Sequence, residues 1–157
     1  MQPREMDTGQ RQALMTLRII WAAMVFGQVV IAAVLMVLML GMDQPLMASP
    51  HWLFVAIPAG MLAVAAPAGY FIRGQVYKAN WQGQVVTPSG YSTGNIVLLA
   101  ILESVAIIAL VLMFVGGWPP WPGVIALLAL VIQAVNFPTG APMRPHPPGF
   151  GVGLGRV

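Results

Sequence analysis

A helix that crosses a bilayer needs about 20 mainly apolar residues, within a range of about 17 to 25. Four runs in this chain meet that need: 19–42, 52–72, 96–115 and 121–137, the last only just. Proline and glycine punctuate the junctions, at Pro45, Pro50, Pro88, Gly90, Pro119, Pro120 and Pro122. Composition points the same way. The 157 residues are 59% hydrophobic and 7% charged, where a soluble domain carries about 25% charged residues. A water-soluble fold of this size could not hide so much apolar surface, whereas lipid tails solvate it directly. Hydrocarbon also demands that every backbone N–H and C=O be bonded within the chain, which helices achieve. The expectation is an all-α integral membrane bundle of four transmembrane helices, running up-down-up-down. Residues 1–137 form this domain, with a connecting loop at 73–95. Residues 138–157, rich in Pro and Gly, form a tail expected to be extended or disordered.

Charge gives the direction. Arg4, Arg11 and Arg18 precede the first run, Arg73 and Lys78 lie between the second and third, and Arg144 and Arg156 follow the fourth. All seven basic residues therefore fall on one side, and the other side carries only Asp43 and His51. By the positive-inside rule both termini and the 73–95 loop face the cytoplasm. Trp21, Trp52, Tyr70, Trp118 and Trp121 sit near the run boundaries, as interfacial aromatics do. A cleavable signal sequence has an apolar core of about 7 to 15 residues. The first run is longer, so it is expected to be a retained helix. The loop is expected either to be disordered or to lie on the headgroups through Tyr77, Trp81 and Val85-Val86, the second being favoured.

Several function classes fall away. The net charge of +3 comes from dispersed residues with no basic stripe, so no nucleic-acid partner is expected. The chain has no cysteine, and His51 and His146 stand alone, without ligands at metal-binding spacing. The glycines of "GFGVGLG" near the C-terminus have neither a strand before them nor a helix after, so they do not make a phosphate-binding loop and no cofactor is expected. Ser92, Thr93 and Ser104 have no intramembrane His or Lys to act as a base. No enzymatic activity is expected.

Polar residues inside the apolar runs are the exceptions that bear on function. Counted at about 1.5 Å per residue, Glu103 lies on the order of 10 Å inside the cytoplasmic end of its run, Gln28 about 14 Å and Gln133 roughly 6 Å. Ser104 adjoins the acid. Glu103, Gln28, Ser104 and Gln133 thus form a candidate polar cluster in the inner half of the membrane. Insertion scales put a charged residue such as Asp at a helix centre about 2.5 to 3.5 kcal/mol uphill, and a carboxyl avoids much of that by staying protonated. A neutral Glu103 would act as interhelical glue, bonding to Gln28, to Gln133 or to a carbonyl freed by proline. An ionisable Glu103 would carry a proton or small cation.

The second run carries a different signal. In "AIPAGMLAVAAPAGY", Ala56, Gly60, Ala63 and Gly69 recur at helical spacing, together with Ala59 and Ala66. Small residues in such a row let helix backbones approach closely, and Gly60 and Gly69 are the expected points of closest approach. Pro58 and Pro67 should kink this helix and free the carbonyls of Phe54 and Ala63.

Two resemblances add to this reading. "IVLLAILESVAIIALVLMF" at 96–114 resembles the carboxylate-bearing second helix of rotary ATP synthase c subunits, which implies an ion-binding role for Glu103. This chain departs from that pattern in lacking a GxGxG first helix and an Arg-Gln-Pro loop, and its acid lies in the third run. "TLRIIWAAMVFGQV", "LLAILESVAII" and "NFPT", in three separate regions, resemble a group of small four-span bacterial membrane proteins. That resemblance implies a fold and a bacterial plasma (inner) membrane location, and no chemistry. The functional expectation is a non-enzymatic multi-pass protein of the lipid bilayer. It would pack with itself as a homo-oligomer or serve as an accessory subunit of a membrane protein complex. Proton or cation translocation through Glu103 is the alternative.

Overall fold

The computed structural model describes residues 7–41, 51–116 and 120–144. The links around Asp43 and Trp118, the N-terminal Arg4 and the tail from 145 onward, with His146 and Arg156, lie outside the described residues. Four helices account for most of the rest: α1 (Thr8–Leu40), α2 (His51–Ala79), α3 (Pro88–Gly116) and α4 (Trp121–Val135).

Three of these, α1, α2 and α3, are long and apolar enough to cross a membrane. The fourth is shorter than its apolar run. α4 has 15 residues, about 22 Å at 1.5 Å per residue, short of a hydrocarbon core of about 30 Å. It stops at Val135 because Asn136 turns the chain: its amide Nδ2 donates back to the Ile132 carbonyl at 2.7 Å.

The other helices outrun their apolar runs. α1 begins at Thr8, eleven residues before the apolar run at 19, because Asp7 and Gln10 form a capping box: the Gln10 Oε1 accepts from the Asp7 N–H at 3.1 Å, and the Asp7 side chain accepts from the helix's first N–H groups. α3 begins at Pro88 for a related reason. Thr87 Oγ1 accepts from the Gly90 N–H at 3.2 Å, and proline at the first helical position gives up no intrahelical bond. With α2 continuing to Ala79, the expected 73–95 loop shrinks to a hairpin. β1 (Trp81–Gln82) pairs antiparallel with β2 (Val85–Val86) across Gly83-Gln84. Gly83 takes φ 63° at the first turn position, where such two-residue loops favour glycine.

α3 is the centre of the fold. It packs against all three other helices, and α4 also touches α1 and α2. The α2–α3 pairing is antiparallel along its whole length: Phe54 lies against Gly116, Leu98 against Gly69, and Tyr77 against Gly94. α2 runs helically through both Pro58 and Pro67. At one end, Leu14, Leu17, Val86, Tyr91 and Met143 make a buried cluster backed by Tyr77. At the other, Ala109, Leu110, Met113 and Ala126 pack with Ala32, Leu35 and Met39.

The outward faces are apolar. Phe26, Val37, Val64, Phe71 and Val135 are each at least two-thirds exposed. Such a belt is intolerable in water and ordinary in lipid.

The first part of the tail is folded, which corrects the expectation for it. Residues 138–144 return to the bundle, with a 3-10 turn at Ala141–Met143. Met143 is fully buried, a burial that stabilises by about 1.5–3 kcal/mol. Gly140 allows the turn by adopting φ 76°, and its N–H donates to the Tyr91 hydroxyl at 3.0 Å. Gln10 Nε2 ties α1 to the Met143 carbonyl at 3.2 Å.

Candidate functional site

Of the four polar residues singled out within the apolar runs, the structure joins two. Gln28 from α1 and Gln133 from α4 are both buried, and the Gln28 Nε2 donates to the Gln133 Oε1 at 3.1 Å. The Gln28 Oε1 and the Gln133 Nε2 are buried with no hydrogen-bond partner. Turning both amides over exchanges donor and acceptor and leaves the same remainder, one C=O and one NH2. Beside them the Trp21 indole Nε1 donates to the backbone carbonyl of Gln133 at 2.9 Å. That carbonyl is in the last turn of α4, where the regular i+4 donor is missing, and it also accepts from the Asn136 backbone N–H at 3.1 Å. Trp21 thus acts as a cap from a neighbouring helix.

The depths inferred by counting placed Gln28 and Gln133 at different levels, and the bond between them corrects this. Arg18 Nε reaches the Pro138 carbonyl at 3.1 Å, so the path from Arg18 to Gln28 runs alongside the path from Pro138 to Gln133. The first is helical, advancing about 1.5 Å per residue. Part of the second, 136–138, is non-helical, and an extended residue spans up to about 3.3–3.6 Å. Fewer residues cover the same height.

Glu103 and Ser104 stand apart from that pair. Glu103 is half-buried on the flank of the α3 core face, next to the buried Leu102. Among the described residues it makes no hydrogen bond or ion pair, with Gln28, with Gln133 or with a carbonyl near Pro58 or Pro67. Ser104 is exposed, and its hydroxyl donates to its own helix at the Ile101 carbonyl, 2.8 Å away. Antiparallel packing of α3 on α4 sets Gly123 against Met113. Counting ten residues back along α3 and ten forward along α4 puts Glu103 at about the height of Gln133.

The small-residue row of α2 divides between two surroundings. Gly69 is buried, and a Cβ there would fall 2.8 Å from Leu98 Cδ1 in α3. Ala56, Gly60 and Ala63 are exposed, and a Cβ on Gly60 would meet nothing within 4 Å.

A groove of about 290 Å³ opens between α1 and α3, lined by Gln12, Thr16, Leu17, Ile20, Ser92 and Ile96 among others. It does not include Glu103 or the Gln pair. No group of three His, Asp or Glu side chains that could hold a metal ion occurs among the described residues.

Sequence reasoning missed a second set of polar residues, at the hairpin end. The Asn95 amide Nδ2 donates to the Tyr77 hydroxyl at 2.6 Å and to the Tyr91 carbonyl at 2.8 Å, and Tyr77 and Tyr91 stack with ring centroids 5.8 Å apart. The spacing Tyr70-Arg73-Tyr77, i to i+3 to i+7, was the available signal, because on a helix it aligns the three side chains on one face.

Comparison with family models, with curated proteins and with solved structures finds no match. The two resemblances noted from the sequence therefore rest on the quoted residues alone.

Proposed function

We propose that this is a non-enzymatic, multi-pass membrane protein that associates in the bilayer, with a second copy or as a subunit of a larger membrane complex, through the outward row Ala56-Gly60-Ala63 of α2. One observation carries the reading. α3 occupies the row only at Gly69, and at Gly60 the helix surface is open. Lipid tails are as apolar as leucine, so helices associate in membranes by close packing, which small residues permit. Crosslinking in native membranes should capture a specific oligomer or complex, and Gly60→Leu should weaken it. Recovery of native monomer only overturns the reading. The proposal includes four membrane-crossing segments in a bacterial plasma membrane, with both termini in the cytoplasm, supported by the one-sided distribution of basic residues.

A second reading has its own observation. Glu103 is an intramembrane acid without a bonding partner among the described residues, at about the height of two buried amide groups that each retain an unused hydrogen-bonding atom. Intramembrane acids of this kind serve as sites for a proton or a small cation. Reconstituted vesicles should show a proton flux that Glu103→Gln abolishes. Equal flux, or none, from the native protein and the variant removes this reading and leaves the association proposal untouched.

A further inference from the structure

We propose that Arg18 and Arg73, both anchored on the segment 136–138, bind phosphate of anionic phospholipid headgroups. Both guanidinium groups are held in place by the same short piece of chain. Arg18, from α1, donates through Nε to the Pro138 carbonyl at 3.1 Å, with its guanidinium carbon 5.1 Å from the Phe137 ring centroid. Arg73, from α2, donates through Nη1 to the Asn136 Oδ1 at 3.0 Å, and its guanidinium carbon lies 4.9 Å from the Tyr70 centroid and 5.9 Å from that of Tyr77. Asn136 is fixed in turn by its Nδ2, which donates a hydrogen bond to the Tyr70 hydroxyl at 2.6 Å, and Phe137 by its edge-on contact with Trp21 at 5.0 Å.

These anchors leave donors unused. Among the described residues, both terminal nitrogens of the exposed Arg18 lack a hydrogen-bond partner, and so do Nε and Nη2 of Arg73. A guanidinium held on one edge presents its remaining N–H groups as a fork that fits phosphate oxygens. Among the described residues no carboxylate neutralises either group. The described acids are Asp7, whose side chain caps α1, and Glu103, which makes no ion pair.

Depth selects the anion. Trp21, Tyr70, Tyr77 and Phe137 surround the two arginines at the end of the apolar runs, and aromatics of this kind sit at headgroup level. An anion reaching that level carries its own apolar anchor, and basic sites between transmembrane helices recognise phospholipid headgroups in this way. The inference does not depend on the association proposal, since neither arginine lies on the outward row of α2.

The test uses the full-length protein in nanodiscs of phosphatidylcholine alone or mixed with phosphatidylglycerol. It reads the difference in melting temperature between the two lipids and the lipid retained in native mass spectrometry. Phosphatidylglycerol should raise the melting temperature and be retained. Arg18→Gln and Arg73→Gln should each weaken its retention about fivefold, as expected for one basic residue at an anionic surface, whereas Arg144→Gln should leave it unchanged. Arg18→Lys and Arg73→Lys keep the charge without the fork and serve where a Gln variant does not fold; they should retain less phosphatidylglycerol than the native protein. The proposal is overturned if the two lipids are retained equally, or if the arginine variants keep native retention. It is also overturned if Arg144→Gln loses as much, or if inorganic phosphate alone gives the same thermal shift.

Discussion

Gln28 and Gln133 make one hydrogen bond between them and leave one acceptor and one NH2 group unpaired in a buried site. A primary amide offers two N–H donors and an oxygen with two lone pairs, so the pair is only partly satisfied. Its value lies in the alternatives it removes. Losing one partner leaves the other amide wholly unbonded, and losing both leaves an apolar contact that costs little. Interhelical bonds of this type in membrane bundles are worth about 0.6 kcal/mol on average and at most about 1.7. A double-mutant cycle with Gln28→Leu and Gln133→Leu, measured by unfolding in detergent, should therefore give a coupling of about 0.6 kcal/mol. The double variant should be more stable than the sum of the single losses implies. Additive losses would mean that the amides do not act as a pair. The sequence marked both residues as polar groups at depth, but counting from the ends of apolar runs could not align them, because 136–138 leaves helical geometry. It also marked Glu103, and the flank position of that residue on α3 followed from neither its hydropathy nor its spacing.

At the scale of elements, apolar runs located the helices and understated their length. The extra turns of α1, α2 and α3 are polar and lie beyond the hydrocarbon-length segment. Their signals were local: Asp7 with Gln10 before α1, and Thr87-Pro88 before α3. Both are helix-start patterns that depend on side-chain oxygens and proline rather than on hydropathy. The hairpin was legible only in part. Val85-Val86 and Trp81 marked an interfacial segment, while the register around Gly83 depends on the neighbouring helix ends. The tail misled because its composition is that of disordered chain, yet buried Met143 and Pro138, the turn at Gly140 and bonds from Gln10 and Arg18 dock 138–144. Gly140 combines φ 76° with a would-be Cβ 3.0 Å from Leu14 Cδ2. Gly140→Ala should cost about 1–2 kcal/mol for the left-handed backbone alone, and more for displacing Leu14. Gly83→Ala has a similar φ and open space, so it should lower the melting temperature less. Equal losses would place 138–144 off the bundle.

Across the whole molecule, the short α4 and the one-sided charge meet in a single question of topology. The described basic residues Arg11, Arg18, Arg73, Lys78 and Arg144 lie on elements that meet at the hairpin end. Arg18 bonds to Pro138, Arg73 to Asn136, and Gly140 to Tyr91 near the start of α3. The C-terminal end of α4 is therefore at the same end of the bundle as the start of α1 and the hairpin. Near its other end, Gly123 lies against Met113 in the last turn of α3. At about 22 Å, α4 needs the non-helical 136–138, the segment before Trp121 or local thinning of the bilayer to complete a crossing, and mismatch of this kind costs fractions of a kcal/mol per Å. That is small against the loss of the contacts that hold 136–144 to α1 and α3. One-sided reporters fused at the N-terminus, at the C-terminus and next to Trp81 in the hairpin should all report from the cytoplasm. A C-terminal reporter active outside, with the other two inside, would mean that α4 leaves the α1–α3 end in the membrane. The Arg18–Pro138 and Gly140–Tyr91 bonds could not then form.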